Sequence, residues 1–174
     1  SKSPAIFDPL KLRAINAAYI RALPAEEFRR LADPFIDSAV HCDIDRDLLC
    51  ANLQPRCEVL EDIPPQLDFF DAVLPIDAEM YRNKKQKTTP ESAKEALTAL
   101  LPVLEAQTDW TRDAIFEACK ALAEQLEKKN GWLLFPLGIA LSGKARTPGG
   151  GTDLAAMMGK PETLKRVKEA LEKL

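Results

Sequence analysis

The chain has 174 residues, of which 46% are hydrophobic, so it is long and apolar enough to bury a core and is not a disordered tail. Its 24 Lys and Arg residues against 27 Asp and Glu residues give a formal net charge of -3, which argues against a strongly basic nucleic-acid-binding protein, although a phosphate responds only to the local charge at its binding face. No apolar run approaches the roughly 20 residues that span a bilayer, so we expect a cytoplasmic protein without a membrane partner.

The first predicted helix begins with Asp8 as N-cap and Pro9 at the first helical position, and it runs to about Leu23. Its apolar residues recur at three- and four-residue steps, which places them on one face. We expect this face to be buried; it includes Leu12, Ile15 and Tyr19.

Two further helices are predicted before residue 61. One opens at Pro24, with Glu26 and Glu27 in its first turn, where acids favour the helix dipole. The next covers residues 43–60, and Pro55 must bend it because proline removes a hydrogen-bond donor and clashes with the preceding turn. The bend predicts that Arg56 begins a new helical segment. Residues 66–80 show no clear period and predict a short helix and a loop.

The second half of the chain opens after a basic run, residues 82–87, which carries four positive charges and no acid. Thr89 and Pro90 predict a helix start, and a further helix is expected from about Thr108 to Lys129, closed by Asn130 and Gly131. Residues 132–141 are apolar and should be buried. The glycine-rich, basic segment 142–152 predicts a loop, and two short helices follow it, over residues 153–158 and 161–174.

The fold class expected from this pattern is all-α, a helical bundle made of two small helical subdomains, because helical periods occur throughout and no alternation of period two is convincing. We place the division near the basic run, which gives the ranges 1–88 and 89–174.

Signals of catalysis and metal binding are weak in this sequence. The chain has one histidine, His41, no phosphate-binding glycine motif and no close cysteine pair, so we expect no catalytic residues and no metal site. The four cysteines are expected to be reduced and buried, since a chain of this length does not depend on disulfides.

Several segments, taken in order, resemble the C-terminal part of bacterial glutamyl-tRNA synthetases. Near the N-terminus these are Phe7-Asp8, Lys11-Leu12, Asn16 and Tyr19-Ile20-Arg21. Further along they are Leu53-Gln54-Pro55-Arg56 with Val59-Leu60, Trp110-Thr111, the box from Phe135 to Gly143, Thr147-Pro148, and Gly159-Lys160 with Thr163, Leu164 and Arg166. Each piece is short and unspecific, but the ordered agreement covers nearly the whole chain.

This resemblance implies an α-helix cage that binds the anticodon loop of tRNA(Glu), in a ligase whose N-terminal catalytic domain, with its ATP and Mg, lies outside the chain. The family's two catalytic signature motifs are absent from the sequence. We therefore expect no cofactor in this chain, no catalysis by it alone, and a monomer.

The resemblance assigns Arg56 to the third anticodon base. A guanidinium group only donates hydrogen bonds, and the exposed edge of cytosine offers two acceptors, whereas guanine, which ends the glutamine anticodons, would present N–H groups instead. The alternative is that Arg56 begins a helix and pairs with Glu58 or another surface acid.

Other residues are matched to the remaining bases. Thr147 and Pro148 correspond to the family residues that hold the middle uridine, and their alternative is an ordinary turn. Gly138 stands where the family box usually has arginine, so contact with the first base is expected to be lost or transferred to Lys144 or Arg146. Leu154 is a further candidate contact beyond the Gly149-Gly150-Gly151 stretch.

Two other classes of function remain open at this point. The acidic composition and amphipathic helices also suit a protein-interaction or adaptor domain that does not bind RNA. A small helical enzyme that uses Asp or Glu with a metal is the third possibility. For the basic run, the alternatives are a phosphate-binding patch and a solvated surface.

Overall fold

A computed structural model describes residues 8–174, so Phe7 lies outside the described residues. Within that range the chain forms eight α-helices: α1 (Pro9–Ala22), α2 (Ala25–Ala39), α3 (Arg46–Leu53), α4 (Pro90–Ala106), α5 (Arg112–Gln125), α6 (Asn130–Ser142), α7 (Gly151–Met158) and α8 (Lys160–Lys173). The only β-type pairing there is an isolated bridge between Asn83 and Thr88. This confirms the all-α class. None of the described helices has the length and apolar character needed to cross a lipid bilayer.

Helix α6 lies at the centre of the second half, where it packs against α4, α5, α7 and α8. Most of its residues are buried, as predicted for residues 132–141. One continuous hydrophobic cluster extends from Ile20 in α1 to Ala170 in α8 and includes residues from both sides of position 88. The division into ranges 1–88 and 89–174 stays a prediction.

The predicted buried face of α1 is wrong. Helix α1 has the expected bounds, but Leu12, Ile15 and Tyr19 are 48%, 53% and 72% exposed. The helix turns Ala17 and Ile20 inward instead. An apolar stripe on a helix usually indicates a surface that another segment covers. The described residues of this chain do not cover the stripe of α1.

The segment around Pro55 also differs from the prediction. Helix α3 ends at Leu53, and Pro55 lies inside a single 3-10 turn, Gln54–Arg56, after which Cys57 is extended. Arg56 therefore ends a helical segment and does not begin one. The proline bends the chain as expected, and no α-helix follows it, because Val59 has extended backbone. Three further 3-10 turns follow, Leu60–Asp62, Pro64–Gln66 and Ala78–Tyr81, and no α-helix forms in the segment 66–80, where a short helix and a loop are predicted.

Helix α5 begins later and ends earlier than predicted: it starts at Arg112 instead of about Thr108, and it ends at Gln125 instead of about Lys129. Glu127 adopts a left-handed conformation, with φ of 56°. The Lys128 amide donates to Ala123 and the Glu127 amide donates to Glu124, which together form a Schellman motif. Asn130 and Gly131, predicted to close α5, begin α6 instead. The boundary was missed because the left-handed position is occupied by glutamate and not by glycine.

Helix α8 is joined to the core by a buried guanidinium group. Arg166 is 2% exposed, and its Nη1 donates to the carbonyl oxygens of Phe69 and Leu141, each at 2.7 Å. Its Nη2 donates to the carbonyl of Phe70, and its Nε pairs with Glu162. The guanidinium thus satisfies backbone groups from two separate segments.

The cysteines and acids form no site for a metal within residues 8–174. All four cysteines are free thiols; Cys50, Cys57 and Cys119 are buried, whereas Cys42 is exposed, contrary to expectation. Burial raises the pKa of Cys50 and Cys57 to about 11 and that of Cys119 to about 12.

Candidate nucleic-acid interface

Two adjoining cavities lie where the end of α3, the start of α6 and the 143–150 loop meet. The larger has a volume of about 560 Å³ and is lined by residues that include Arg56, Phe135, Gly138, Arg146 and Thr147. The second, of about 470 Å³, is lined by residues that include Asn52, Arg56, Thr147 and Asp153. Arg56 and Thr147 belong to both linings, so these two side chains stand where the cavities join.

The Arg56 side chain is exposed and has no hydrogen bond or ion pair with any residue from 8 to 174. The alternative partner suggested by the sequence, Glu58, instead accepts from Nε of Arg13 at 2.7 Å. Asp62 also pairs with Arg13. A charged group that projects from the wall of a cavity without an internal partner is available to a ligand.

Thr147 is held in a tight turn. Its hydroxyl donates to the carbonyl oxygen of Gly149 at 2.7 Å. Because a hydroxyl has one hydrogen and two lone pairs, the proton is committed and the oxygen remains able to accept. Thr147 therefore presents an acceptor beside the donor-only Arg56.

Pro148 and Leu154 are buried and line neither cavity, and their contact with a base stays a prediction. Leu154 packs in the core at the α7 interface, so its side chain offers no surface to a nucleotide. Both residues follow family motifs, which locate a segment but not the direction of each side chain.

The three consecutive glycines have distinct structural roles. Gly149 has φ of 99°, and a Cβ there would lie 2.7 Å from the Cβ of Asp153. Gly150 is the N-cap residue of α7, and its amide donates to the Asp153 carboxylate at 2.9 Å. Gly151 lies against α6, where a Cβ would be 2.8 Å from the Leu134 carbonyl oxygen. Helix α7 accordingly begins two residues earlier than predicted.

Lys144 and Arg146, the two candidates to replace the missing family arginine, differ in their surroundings. Lys144 donates to Asp68 at 3.0 Å and to the Pro65 carbonyl at 3.2 Å. Arg146 is exposed and has no ion pair among the described residues. Gly138 leaves space, since a Cβ there would meet its nearest neighbouring atoms, those of Gly151, at 3.9–4.0 Å.

Several residues of the lining were not singled out from the sequence as contacts. Gln86, within the basic run, reaches over the start of α6, so that a Cβ on Gly131 would collide with its side-chain amide. Phe135 adds a half-buried aromatic ring. The spacing of three residues could have identified part of the lining. Gly131, Leu134 and Gly138 are three and four residues apart, which predicts that they share one face of the helix, and two of them have no side chain.

The sequence profile of the family described as "Anticodon binding domain" matches residues 14–171. Among curated relatives, the glutamate–tRNA ligase of Clostridium botulinum strain Hall is 45% identical over 174 residues, which is all of this chain and 36% of the relative. The glutamate–tRNA ligase of Clostridium tetani is 43% identical over 174 residues, which is again all of this chain and 36% of the relative. The chain thus spans about a third of the length of these relatives.

A solved structure gives the same result. The crystal structure of a glutamate tRNA ligase from Elizabethkingia meningosepticum, in complex with its amino acid, has a TM-score of 0.82 and 25% identity; the match covers 99% of this chain and 34% of that one. With the profile match over nearly the whole chain, the conclusion is that this chain belongs to the anticodon binding domain family.

Proposed function

We propose that the chain is the tRNA anticodon recognition module of a glutamyl-tRNA synthetase. It would hold tRNA(Glu) so that the acceptor end reaches a catalytic domain in another part of a longer cytoplasmic polypeptide, where ATP-dependent glutamylation takes place. The observation that carries the proposal is that Arg56, exposed and without an ion-pair partner in residues 8–174, lies with Thr147 at the junction of two cavities. Unpaired anticodon bases can enter such cavities and be read at their edges.

Arg56 would read the third anticodon base. Its guanidinium N–H groups match the two acceptors on the exposed edge of cytosine, and they would oppose the N–H groups of guanine. Since Arg56 makes no ion pair with the described residues, binding a base would not first require breaking one.

Thr147 would accept a hydrogen bond from the middle base. A uridine presents an N–H group on the edge it uses for pairing, and the Thr147 oxygen retains lone pairs because its proton is given to Gly149. Cytosine carries an acceptor at the same ring position, so the turn would favour uridine.

Arg146 is the better candidate for the first base. Lys144 is held by Asp68 and Pro65, whereas Arg146 lines the larger cavity without a described partner. The open space above Gly138 would leave this base less tightly enclosed than one that meets a larger side chain.

The exposed apolar face of α1 supports the second part of the proposal, attachment to a catalytic domain. Leu12, Ile15 and Tyr19 form an apolar stripe beside a cavity of about 690 Å³ that Leu12 and Tyr19 help to line. Relatives nearly three times as long as this chain contain further sequence that could cover it. If a catalytic domain covers this stripe, the stripe is not available for self-association, and the module would remain a monomer.

The test compares two RNA hairpins, one with the glutamate anticodon and one whose third anticodon base is guanine. Arg56→Ala should weaken binding of the first hairpin by about 1–3 kcal/mol, the typical range for a bidentate base contact, and leave the second nearly unchanged. Arg21→Ala is the matched control, because Arg21 is also exposed and lines neither cavity. Equal losses for both hairpins would remove Arg56 from base reading.

The apolar face of α1 also favours a second candidate, a protein-interaction domain without RNA binding. That function predicts no measurable affinity of the chain for either hairpin at low salt. Specific binding of the glutamate hairpin would exclude it as the sole function.

A further inference from the structure

A groove of about 320 Å³ lies beside the larger cavity and is surrounded by lysines. It is formed by the turn of the basic run and by the link between α5 and α6. Its lysines are Lys85, Lys87, Lys128 and Lys129, and we call this set the lysine groove. All four side chains are exposed.

The charge of the lysine groove is not neutralised by the residues that the structure describes. No ion pair of the described residues involves any of its four lysines. Glu127 is the one acid in the lining, so the local balance is strongly positive although the whole chain has a net charge of -3. Four like charges around one groove repel one another, which favours binding of an anion.

The start of α6 adds to this positive potential. Lys129 occupies the N-cap position, no side chain caps the helix, and its first turn contains no acid. A cation is unfavourable at this end of a helix, where the backbone N–H groups already give a partial positive charge. An anion placed in the groove would relieve both effects.

Two turns hold the lysines on the groove. Lys87 and Glu127 have φ of 57° and 56°, and they are the non-glycine residues with positive φ among those described. Each such conformation costs an L-residue about 1–2 kcal/mol. Lys128 also lies over the ring of Trp132, 5.1 Å from its centroid, which gives the groove an apolar floor.

The lysine groove is continuous with the candidate anticodon site. Gln86 belongs to the lining of both the groove and the larger cavity. A nucleic acid whose loop bases enter the larger cavity would therefore carry its backbone past the lysines.

We infer that the lysine groove binds the phosphate backbone of the RNA stem next to the anticodon loop, without reading sequence. The inference rests on the proposed function for the position of the RNA, and it extends that function to a second contact surface. Lysine ammonium groups are point charges that bind phosphate without the geometric demands of base recognition. Their contribution is therefore affinity and salt dependence, and not base preference.

The experiment measures binding over a salt series. The groove variant is Lys85→Gln, Lys87→Gln, Lys128→Gln and Lys129→Gln in one chain. The matched control is Lys94→Gln, Lys120→Gln, Lys165→Gln and Lys168→Gln, which changes the net charge equally through exposed lysines outside the groove lining. Circular dichroism of each variant checks folding. The ligands are the two anticodon hairpins and a third hairpin with the same stem and an unrelated loop.

The groove variant should bind all three hairpins about 10- to 100-fold more weakly at moderate salt, and its slope of log affinity against log salt should be shallower by about 2–4, because each lost phosphate contact removes roughly 0.7–0.9. The ratio between the two anticodon hairpins should be unchanged. The control should retain most of the wild-type slope.

An unchanged slope in the groove variant, or an equal loss in the control, would overturn the inference. Even if the inference fails, the proposed function would still be supported if Arg56→Ala loses the preference for the glutamate hairpin over the guanine hairpin. Conversely, lysine-dependent binding of all three hairpins with no preference for the glutamate anticodon would support the groove and refute the proposed function.

Discussion

The ammonium nitrogen of Lys144 lies 3.0 Å from a carboxylate oxygen of Asp68, and this contact joins the loop of the candidate site to the segment that follows the Pro64–Gln66 turn. The two side chains are 26% and 49% exposed. A pair this accessible to solvent contributes at most about 1 kcal/mol to stability. We expect its larger effect to be on the proposed RNA binding, because the acid neutralises a cation on the cavity wall.

Replacing the acid should strengthen RNA binding. In Asp68→Asn, Lys144 loses its neutralising partner, and the affinity for the glutamate hairpin should rise about 2- to 5-fold at low salt, with a steeper salt slope by roughly 0.7–0.9. Fluorescence anisotropy over a salt series measures both quantities. Glu117→Gln, which removes an exposed acid on α5 away from the cavities, should change them little. An equal gain in both variants would indicate only the change in net charge.

The glycines at the contact between α6 and α7 should respond in opposite directions to alanine. Gly138→Ala should stabilise the fold by about 0.5–1 kcal/mol, because alanine is favoured in a helix and its Cβ would meet no atom closer than 3.9 Å. Gly151→Ala should destabilise it by about 1–3 kcal/mol, because its Cβ would lie 2.8 Å from the Leu134 carbonyl oxygen. Urea unfolding measures both changes, and the same sign for both would contradict the packing described.

Space above Gly138 also allows a functional test. Gly138→Arg places an arginine where the resembled family box has one, on the wall of the larger cavity. Affinity for the glutamate hairpin should rise, while the free energy of unfolding should not fall. A loss of stability would show that the position is closed.

The buried guanidinium of Arg166 should matter for stability. Arg166→Met keeps much of the side-chain volume but leaves the carbonyls of Phe69, Phe70 and Leu141 without their donor. Leaving a buried acceptor without its donor typically costs about 1–3 kcal/mol, so Arg166→Met should lower the free energy of unfolding by at least this amount. Lys168→Met, at an exposed position of the same helix, is the control. Comparable stability of the two variants, measured by urea unfolding, would contradict the structural role of Arg166.

The sequence allowed helix starts to be predicted better than helix faces and ends. Thr89 caps α4 and Asp8 caps α1, as predicted, because a capping side chain and its backbone donors lie within one turn, whereas α5 is capped by Thr111, about three residues after its predicted start near Thr108. The end of α5 was missed because a glutamate adopts the left-handed position. Burial of the α1 face was predicted wrongly because it depends on what covers the helix, which the period of the helix itself does not specify.

The candidate site shows the same limit. Family motifs singled out Arg56 and Thr147, and Arg146 was one of two candidates to replace the missing family arginine; the structure brings all three to one cavity. The motifs did not reveal that Leu154 turns inward or that Asp68 holds Lys144, since both depend on packing between segments far apart in sequence.

The apolar face of α1 should make the isolated chain prone to self-association. Leu12→Gln, Ile15→Lys and Tyr19→Gln together remove an exposed apolar stripe, so the concentration at which the chain aggregates should rise, with little change in the free energy of unfolding. Light scattering and urea unfolding measure these effects. A large loss of stability would show that the face packs within the chain. In a longer polypeptide that contains a catalytic domain, the same changes should weaken the attachment and lower aminoacylation.

A last prediction concerns acid stability. The Asp71 carboxylate accepts hydrogen bonds from the backbone amides of His41 at 2.7 Å and Cys42 at 3.1 Å, and its other oxygen lies 2.6 Å from Nδ1 of His41. The bond from the His41 amide is the largest cause, followed by that from the His41 side chain, and together they lower the pKa of Asp71 to about 2.

A carboxyl group whose pKa is lower in the folded chain than in the unfolded one, where it is about 3.9, stabilises the fold above the unfolded value and loses that contribution as the pH falls towards the folded value. Asp71→Asn should therefore lower the free energy of unfolding at neutral pH, and the difference from wild type should shrink between about pH 4 and pH 2. Urea unfolding of both chains over this range provides the measurement. A difference that stays constant as the pH falls would mean that Asp71 acts through its shape and not through its charge.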